Sequence, residues 1–209
     1  MGRILTFQGR GIGSNCYLYT DDSETASVLI DPSASPGITA PIFGQAARQV
    51  SFILLTHAHA DHLISLAEWK AATGAPVLIG RYDRYALRDP EANVAPLLGL
   101  PTGDFGDADG TLEDGEEIFV GNEKLTVLHT PGHTVGSVSF LSSDALFTGD
   151  TLFSFGGVGR TDFFGGSDEA LFESVHRLLA LPAGLPVYPG HGPQTTIGRE
   201  RHYHNYHPI

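Results

Sequence analysis

Ser51-Phe52-Ile53-Leu54-Leu55-Thr56-His57-Ala58-His59-Ala60-Asp61-His62 decides how this chain is read. An apolar, strand-like run ends in three imidazoles and one carboxylate. Neutral imidazole and carboxylate suit zinc or iron(II) better than calcium, which prefers oxygen alone. A strand that ends in such a cluster presents it at its C-terminal edge, where α/β sheets usually place their chemistry. A His-rich tract by itself is only a compositional hint, so the weight rests on the segments C-terminal to it.

Three later segments repeat the arrangement: an apolar run, a tight Gly or Pro turn, then a ligand-type residue. Leu125-Thr126-Val127-Leu128 leads to His133 in Thr130-Pro131-Gly132-His133-Thr134. Ala145-Leu146-Phe147-Thr148 leads to Gly149-Asp150, and Leu185-Pro186-Val187-Tyr188 leads to Pro189-Gly190-His191-Gly192. A lone Gly-Asp is ordinarily a turn. The repetition in this order is hard to explain by packing.

Together, His57, His59, Asp61, His62, His133, Asp150 and His191 in these motifs resemble the metallo-β-lactamase-fold hydrolases. The resemblance runs from Asn15-Cys16-Tyr17-Leu18 to the C-terminus. Within that superfamily the chain is most similar to the single-domain glyoxalase II-like (hydroxyacylglutathione hydrolase-like) hydrolases. Gly157-Val158-Gly159-Arg160-Thr161-Asp162-Phe163 and Gly190-His191-Gly192-Pro193-Gln194-Thr195-Thr196-Ile197-Gly198 carry that closer likeness.

The resemblance implies an α/β fold, the αββα four-layer sandwich, and two divalent metal ions. His57, His59 and His133 would hold the first, Asp61, His62 and His191 the second, and Asp150 would bridge them. Zinc is expected, with iron and manganese as alternatives, because mixed His/Asp sites accept all three. Asp150 sets the chain apart from true zinc β-lactamases, which place a different ligand type there. Asp61 and Asp150 are the expected catalytic carboxylates. Asp150 fixes the metal separation and Asp61 orients the nucleophile.

The implied reaction is glyoxalase II-type thioester hydrolysis, S-D-lactoylglutathione or a related acyl-thiol, by metal-activated hydroxide. A thiolate leaving group has a modest pKa and needs no strong general acid. Full glyoxalase II architecture adds a C-terminal helical domain that helps hold glutathione. This chain stops at Ile209, so thiol recognition is expected from elsewhere, or the thiol differs. The tail Arg199–His207 is the nearby basic and aromatic segment; it touches substrate, caps the fold, or joins a homo-oligomer interface.

Other readings remain. Persulfide dioxygenases share the fold and a Gly-Arg-Thr-Asp-Phe segment but use one iron, which would fall on His57, His133 and Asp150. Gly190-His191-Gly192-Pro193 favours the hydrolase. RNA phosphodiester hydrolysis belongs to other branches of the superfamily. A non-enzymatic binding domain is disfavoured by the complete ligand set.

Composition bounds the reading. The 209 residues are 41% apolar and 17% charged, enough to bury a core and unlike a disordered chain. The net charge of −12, with no Lys/Arg run, argues against nucleic acid. No apolar run is long enough to span a bilayer, and Met1–Phe7 lacks a signal-peptide core, so no membrane partner is expected. A single cysteine, Cys16, excludes an internal disulfide and fits a reducing cytoplasm. In its apolar segment Cys16 reads as a small buried hydrophobe.

Residues 14–20 and 26–31 read as paired strands joined by Asp21-Asp22-Ser23, followed by a loop from Pro32 to Gly37. Gly44–Arg48 is a weak helix. Asp61–Thr73 has helical apolar spacing, with Asp61 near the helix N-terminus where its charge is favoured. Pro76–Ile79 reads as a strand and Tyr82–Arg88 as a helix, with a loose stretch to Gly110. Strands at 116–120, 124–129 and 137–141 form a hairpin-like region turned by Gly121-Asn122. Asp168–Leu181 is an amphipathic helix capped by Ser167. No linker separates two halves, so residues 1–209 are expected to form one domain.

Further positions bear on the site. Arg160 and Asp162 either pair to stiffen the loop beneath it, or Arg160 binds a substrate anion. Asp31 either supports a ligand histidine or forms an Asp-Pro turn. Phe153 and Phe155 line the pocket or pack in the core. His129, His176, His202, His204 and His207 match no motif, and Trp69 reads as core.

Overall fold

A computed structural model describes residues 2–9, 13–100 and 103–206. Met1 at the chain start and His207 in the tail lie outside the described residues. Two six-stranded sheets face each other. The first runs β1 (Arg3–Gln8), β2 (Asn15–Thr20), β3 (Ser27–Ile30), β4 (Val50–Leu55), β5 (Val77–Gly80), β6 (Gly110–Leu112) in spatial order. The second runs from β7 (Glu117–Val120) through β8 (Glu123–His129), β9 (Val138–Leu141), β10 (Leu146–Gly149) and β11 (Pro186–Pro189) to β12 (Thr195–Thr196).

Antiparallel neighbours need only short turns, as between β7 and β8 at Gly121-Asn122. Parallel neighbours need a crossover, usually a helix. The parallel pair β3/β4 is spanned by α1 (Pro36–Phe43), β4/β5 by α2 (Ala60–Leu63) and α3 (Leu66–Thr73), and β10/β11 by α4 (Asp168–Leu179). A last helix, α5 (Ile197–Tyr203), follows β12.

Side-chain alternation builds the layers. On β2, Cys16 and Leu18 join Phe43 of α1 and Trp69 of α3, while Tyr17 and Tyr19 join Phe140 and Phe147 of the second sheet. On the far face of the second sheet, Leu128, Leu146 and Val187 pack against Leu171, Val175 and Leu178 of α4 and Ile197 of α5. The result is the αββα sandwich expected from the sequence. Strands buried on both faces read as continuous apolar runs rather than alternating ones, as in β2 and β3. Cys16 is fully buried and burial pushes its thiol pKa up to about 12, so it packs as a hydrophobe. Trp69 is buried in the core and donates its indole N–H to the Ala34 carbonyl (2.7 Å).

Several local expectations are corrected. The single helix expected over 61–73 is split into α2 and α3 at Ile64-Ser65. The carbonyl that a continuous helix would offer Ser65 is that of Asp61, and it accepts the Ser14 hydroxyl instead (2.8 Å). Ser65 donates its N–H to Pro32 O (3.0 Å). The loop read from Pro32 to Gly37 ends early, because α1 begins at Pro36. Proline in a first turn lacks only an N–H that would be unpaired there anyway. Tyr82–Arg88 belongs to a 3-10 helix, Arg81–Arg88. Strands β1 and β6 were not anticipated; both lie at the edges of the first sheet. The cap at Ser167 is present, its Oγ accepting the Ala170 N–H. Among the described residues, no helix is long and apolar enough to cross a membrane.

Candidate metal centre

The ends of β3, β4, β8, β10 and β11 converge at one edge of the sandwich. His57 and His59 follow β4, and Asp61 and His62 lie on α2 in the same connection. His133 sits between β8 and β9, Asp150 directly after β10, and His191 shortly after β11. Two glycines permit the approach. Gly149 has φ +50°, and a Cβ there would lie 2.5 Å from Thr56 Oγ1. A Cβ on Gly190 would lie 2.1 Å from Asp150 Oδ1. Only glycine tolerates such contact and such a dihedral without rearrangement.

All seven expected ligand residues are brought together. One nitrogen or oxygen from each of His57, His59 and His133 lies within 4.8 Å of the others, and the same holds for Asp61, His62 and His191. His57, His62 and Asp150 form a third such group between them. The Asp150 carboxylate faces both sides. Its Oδ2 is 3.5 Å from His133 Nε2 and 3.4 Å from His191 Nε2, and its Oδ1 is 3.4 Å from His62 Nε2. Asp61 Oδ2 lies 3.1 Å from His191 Nε2.

The imidazoles are oriented from outside. His133 Nδ1 donates to the Arg160 carbonyl (2.7 Å), so its Nε2 presents a lone pair inward. His62 Nδ1 donates to Asp31 Oδ2 (2.9 Å). Thr56 spends its hydroxyl proton on Asp31 Oδ2 (2.7 Å), which leaves His57 Nδ1 as the donor to Thr56 Oγ1 (3.0 Å). Such outer bonds fix tautomer and ring angle in metal sites. The Nε2 atoms of His57, His59, His62 and His133 and the Oδ1 of Asp150 are buried with no hydrogen-bond partner. Buried polar atoms without partners are costly. Five of them gathered in one cluster, with nitrogen and carboxylate chemistry, fit divalent cations.

The electrostatics agree. Burial drives His59 down to about 3, helped by His133, and burial also holds His57 well below its ordinary value. Burial opposes charge on His62 as well, yet the carboxylates of Asp61, Asp150 and Asp31 hold its pKa well above normal. His191 shows the same pattern: its bonds with Asp150 and Asp61 outweigh burial and raise it to about 9. Asp150 is kept well below the usual carboxylate range, against burial, by His62 and His191. Excess anionic charge here draws protons and would equally draw cations.

The remaining sequence candidates take different places. Asp31 bonds His62 and also accepts the Thr56 N–H (2.8 Å), so it supports a ligand-type histidine rather than only turning the chain. Arg160 and Asp162 form a paired contact, two bonds of 2.6 Å, with the guanidinium 3.9 Å from the Phe163 ring centre. Phe153 lines the cleft above the cluster, edge-on to His191 at 6.0 Å. Phe155 turns away, 70% exposed, and meets Tyr203 instead. Arg201 donates to the carbonyls of Leu179 and Leu181 (both 2.7 Å), and buried Glu200 accepts the Gly156 N–H (2.7 Å) and the Thr195 hydroxyl (2.5 Å). The tail therefore caps the fold, and none of its described residues lines this cleft.

Three further residues support the cluster; Asn15 opens the stretch where the resemblance begins, while Asp83 and Asn93 carried no sequence signal. Asp83, in the 3-10 helix after β5, is buried and accepts from Ala58 N (3.1 Å), Gly136 N (2.7 Å) and the Thr134 hydroxyl (2.7 Å). It ties the His57/His59 loop to the His133 loop. Asn93 donates to the carbonyls of Ala86 and Gly103, and its own carbonyl accepts the Ala60 N–H (2.9 Å). Asn15 donates to the carbonyls of Pro189 and Gly192 (both 2.9 Å) and so positions the His191 turn. A local motif could not reveal them, since each acts on residues distant in sequence.

The cluster opens into a cleft of about 700 Å³. His59, Asp61, His133, Asp150 and His191 line it beside Val94, Leu97, Leu98, Phe153, Val158 and Phe163.

Comparison with known proteins places this geometry. The family described as the Metallo-beta-lactamase superfamily matches residues 9–191. An uncharacterized protein of Mycobacterium leprae, ML0493, is 39% identical over 96% of both chains. The hydroxyacylglutathione hydrolase GloC of Haemophilus influenzae is 33% identical over 90% of this chain and 89% of its own. Among solved structures, the BLEG-1 B3 metallo-beta-lactamase superposes with a TM-score of 0.86 at 34% identity, covering 96% of this chain and 97% of that one. TTHA1623 in a di-iron-bound form gives 0.83 at 36% identity, covering 94% and 96%.

Proposed function

The chain belongs to the metallo-beta-lactamase superfamily, and from that premise we propose that it is a metal-dependent thioester hydrolase of the glyoxalase II type. One observation carries the reading: two groups of ligand-type side chains flank Asp150, the Nε2 atoms of His57, His59, His62 and His133 lack partners, and the cluster opens on a cleft. His57, His59 and His133 would hold one cation, Asp61, His62 and His191 the other, with Asp150 between. Divalent cations in such a set acidify water toward neutral pH and polarise an acyl carbonyl. Zinc suits the ligands, and iron is supported by the di-iron form of TTHA1623.

The chain's own residues favour one kind of bond. Outside the ligand set, Arg160 is the titratable side chain lining the cleft, and it is already paired with Asp162. Among the described residues, no further acid is placed to protonate a departing alkoxide or amine. A thiolate, with an ordinary pKa of about 8.5, departs without one. The same lining opposes phosphodiesters, whose recognition needs unpaired basic groups. Asp61, bonded to His191, would orient an attacking water. The likeness to a hydroxyacylglutathione hydrolase supports this reading.

The test is release of free thiol from S-D-lactoylglutathione and simpler acyl-thiols by protein purified without chelator. Turnover removed by EDTA and restored by zinc or iron supports the proposal. With metal content verified, absence of turnover on every thioester overturns it. Oxygen uptake with glutathione persulfide would then identify a dioxygenase, and opening of a chromogenic cephalosporin a β-lactamase.

A further inference from the structure

The cleft does not end at the metal cluster. Val94, Leu97 and Phe163 also line a second groove of about 870 Å³ that continues outward between residues 89–97 and 162–164. Phe163 links the two, its ring edge-on to His59 at 5.7 Å. Leu97 is 67% exposed and Phe164 55% exposed, so apolar surface faces solvent next to the reactive centre. Exposed apolar patches beside a polar site commonly mark ligand grooves.

The wall is held in place by its neighbours. Val94 has φ +55°, a left-handed conformation that a β-branched residue avoids. Asn93 imposes it: its side chain is bonded to Ala86, Gly103 and Ala95, and its carbonyl is tied to the first residue of α2. Strain of this kind persists where surrounding structure over-determines it, frequently at ligand clamps. Here it sets Val94 and Leu97 over the cluster.

Apart from the Arg160–Asp162 pair, the charged side chains along the outer groove are acidic. Asp89, Glu91 and Asp162 rim it, and the sole Lys or Arg among the described residues along either groove, Arg160, is held by Asp162. A carrier bearing carboxylates, as glutathione does, would bring like charge against Asp89 and Glu91 along this groove.

We infer that the site takes a thioester bearing an extended, uncharged apolar chain on a carrier without carboxylates, selected by Val94, Leu97 and Phe163. This inference rests on the proposed thioester hydrolysis and narrows it.

Binding of non-hydrolysable thioethers to the metal-loaded protein tests it by calorimetry. S-octyl-N-acetylcysteamine should bind at least about tenfold tighter than the S-methyl congener, since each buried methylene adds to transfer free energy. S-octylglutathione should bind more weakly than the octyl compound on the neutral carrier. Leu97→Glu, at an exposed position, should cut octyl affinity at least fivefold. Val94→Asn, which suits the left-handed conformation and so keeps the fold, should also weaken octyl binding. Equal affinity for methyl and octyl, tighter binding of the glutathione congener, or unchanged octyl affinity in both variants would overturn the inference. Hydrolysis of octanoyl-N-acetylcysteamine against S-octyl thioacetate tells whether the chain belongs to the acyl or the thiol side. Chain-dependent binding with no thioester turned over would sink the thioester reading and leave the apolar subsite standing. Turnover without chain dependence would do the reverse.

Discussion

Asp31 shows how much one side chain can govern. It lies just past β3 and accepts hydrogen bonds from Thr56 N, Thr56 Oγ1 and His62 Nδ1. Asp31→Ala should leave the sandwich intact while the His62 ring loses its anchor. The expected cost is about 10–100-fold in metal affinity or activity, read by metal content after dialysis and by thiol release. Wild-type metal retention in that variant would remove Asp31 from the site. Asp83 acts differently, since it joins two loops rather than one ring. Burial raises its pKa despite bonds from Thr134, Gly136 and Ala58. Asp83→Ala would strand those donors, and a loss of about 3 kcal/mol is expected in denaturant unfolding. Asp31 was visible in sequence because it ends an apolar run before a proline. Asp83 was not, because a buried acid on a polar segment looks like any surface acid.

At the level of elements, the β2–β3 turn carries a pH signature. Asp21 Oδ1 accepts from Thr25 N (2.6 Å) and Ala26 N (3.0 Å), while Oδ2 accepts from the hydroxyls of Ser23 (2.5 Å) and Thr25 (2.8 Å). Burial opposes its ionisation, but these bonds prevail and lower its pKa from 3.8 to about 2. A depressed folded pKa gives stability that is present above the unfolded value and lost as pH falls through the folded one. Stability should therefore decline between pH 3.8 and about 2, and Asp21→Asn should flatten that part of the profile. An identical acid limb in the variant would refute the assignment. The hairpins and α4 were legible because turn residues, caps and apolar period act locally. The break between α2 and α3 was not, because it depends on Ser14 and Pro32, which lie far away along the chain.

For the whole molecule, the partnerless nitrogens join the two sheets' edges into one site. Cations bound there would cross-link loops from both sheets and bind only the folded chain. Chelation with EDTA should lower Tm by about 5–10 °C, and readdition of zinc or iron should restore it. A Tm indifferent to both would argue that the cluster holds no cation. The layered architecture was implied by the family resemblance, and the apolar runs and helices of the two halves agreed with it. The apolar wall of residues 94–98 was not legible, since it sits in a stretch that reads as loose Pro/Gly/Asp loop.

By itself the sequence determined the donor chemistry and its rhythm: each ligand-type residue stands at the end of an apolar run, a pattern set by neighbours in the chain. The tertiary structure alone decided which histidine each carboxylate and carbonyl orients, where a helix breaks, and what surface surrounds the cluster. Those outcomes come from hydrogen bonds and packing between residues tens to more than a hundred positions apart, such as Asn15 with Pro189, and no local pattern encodes them.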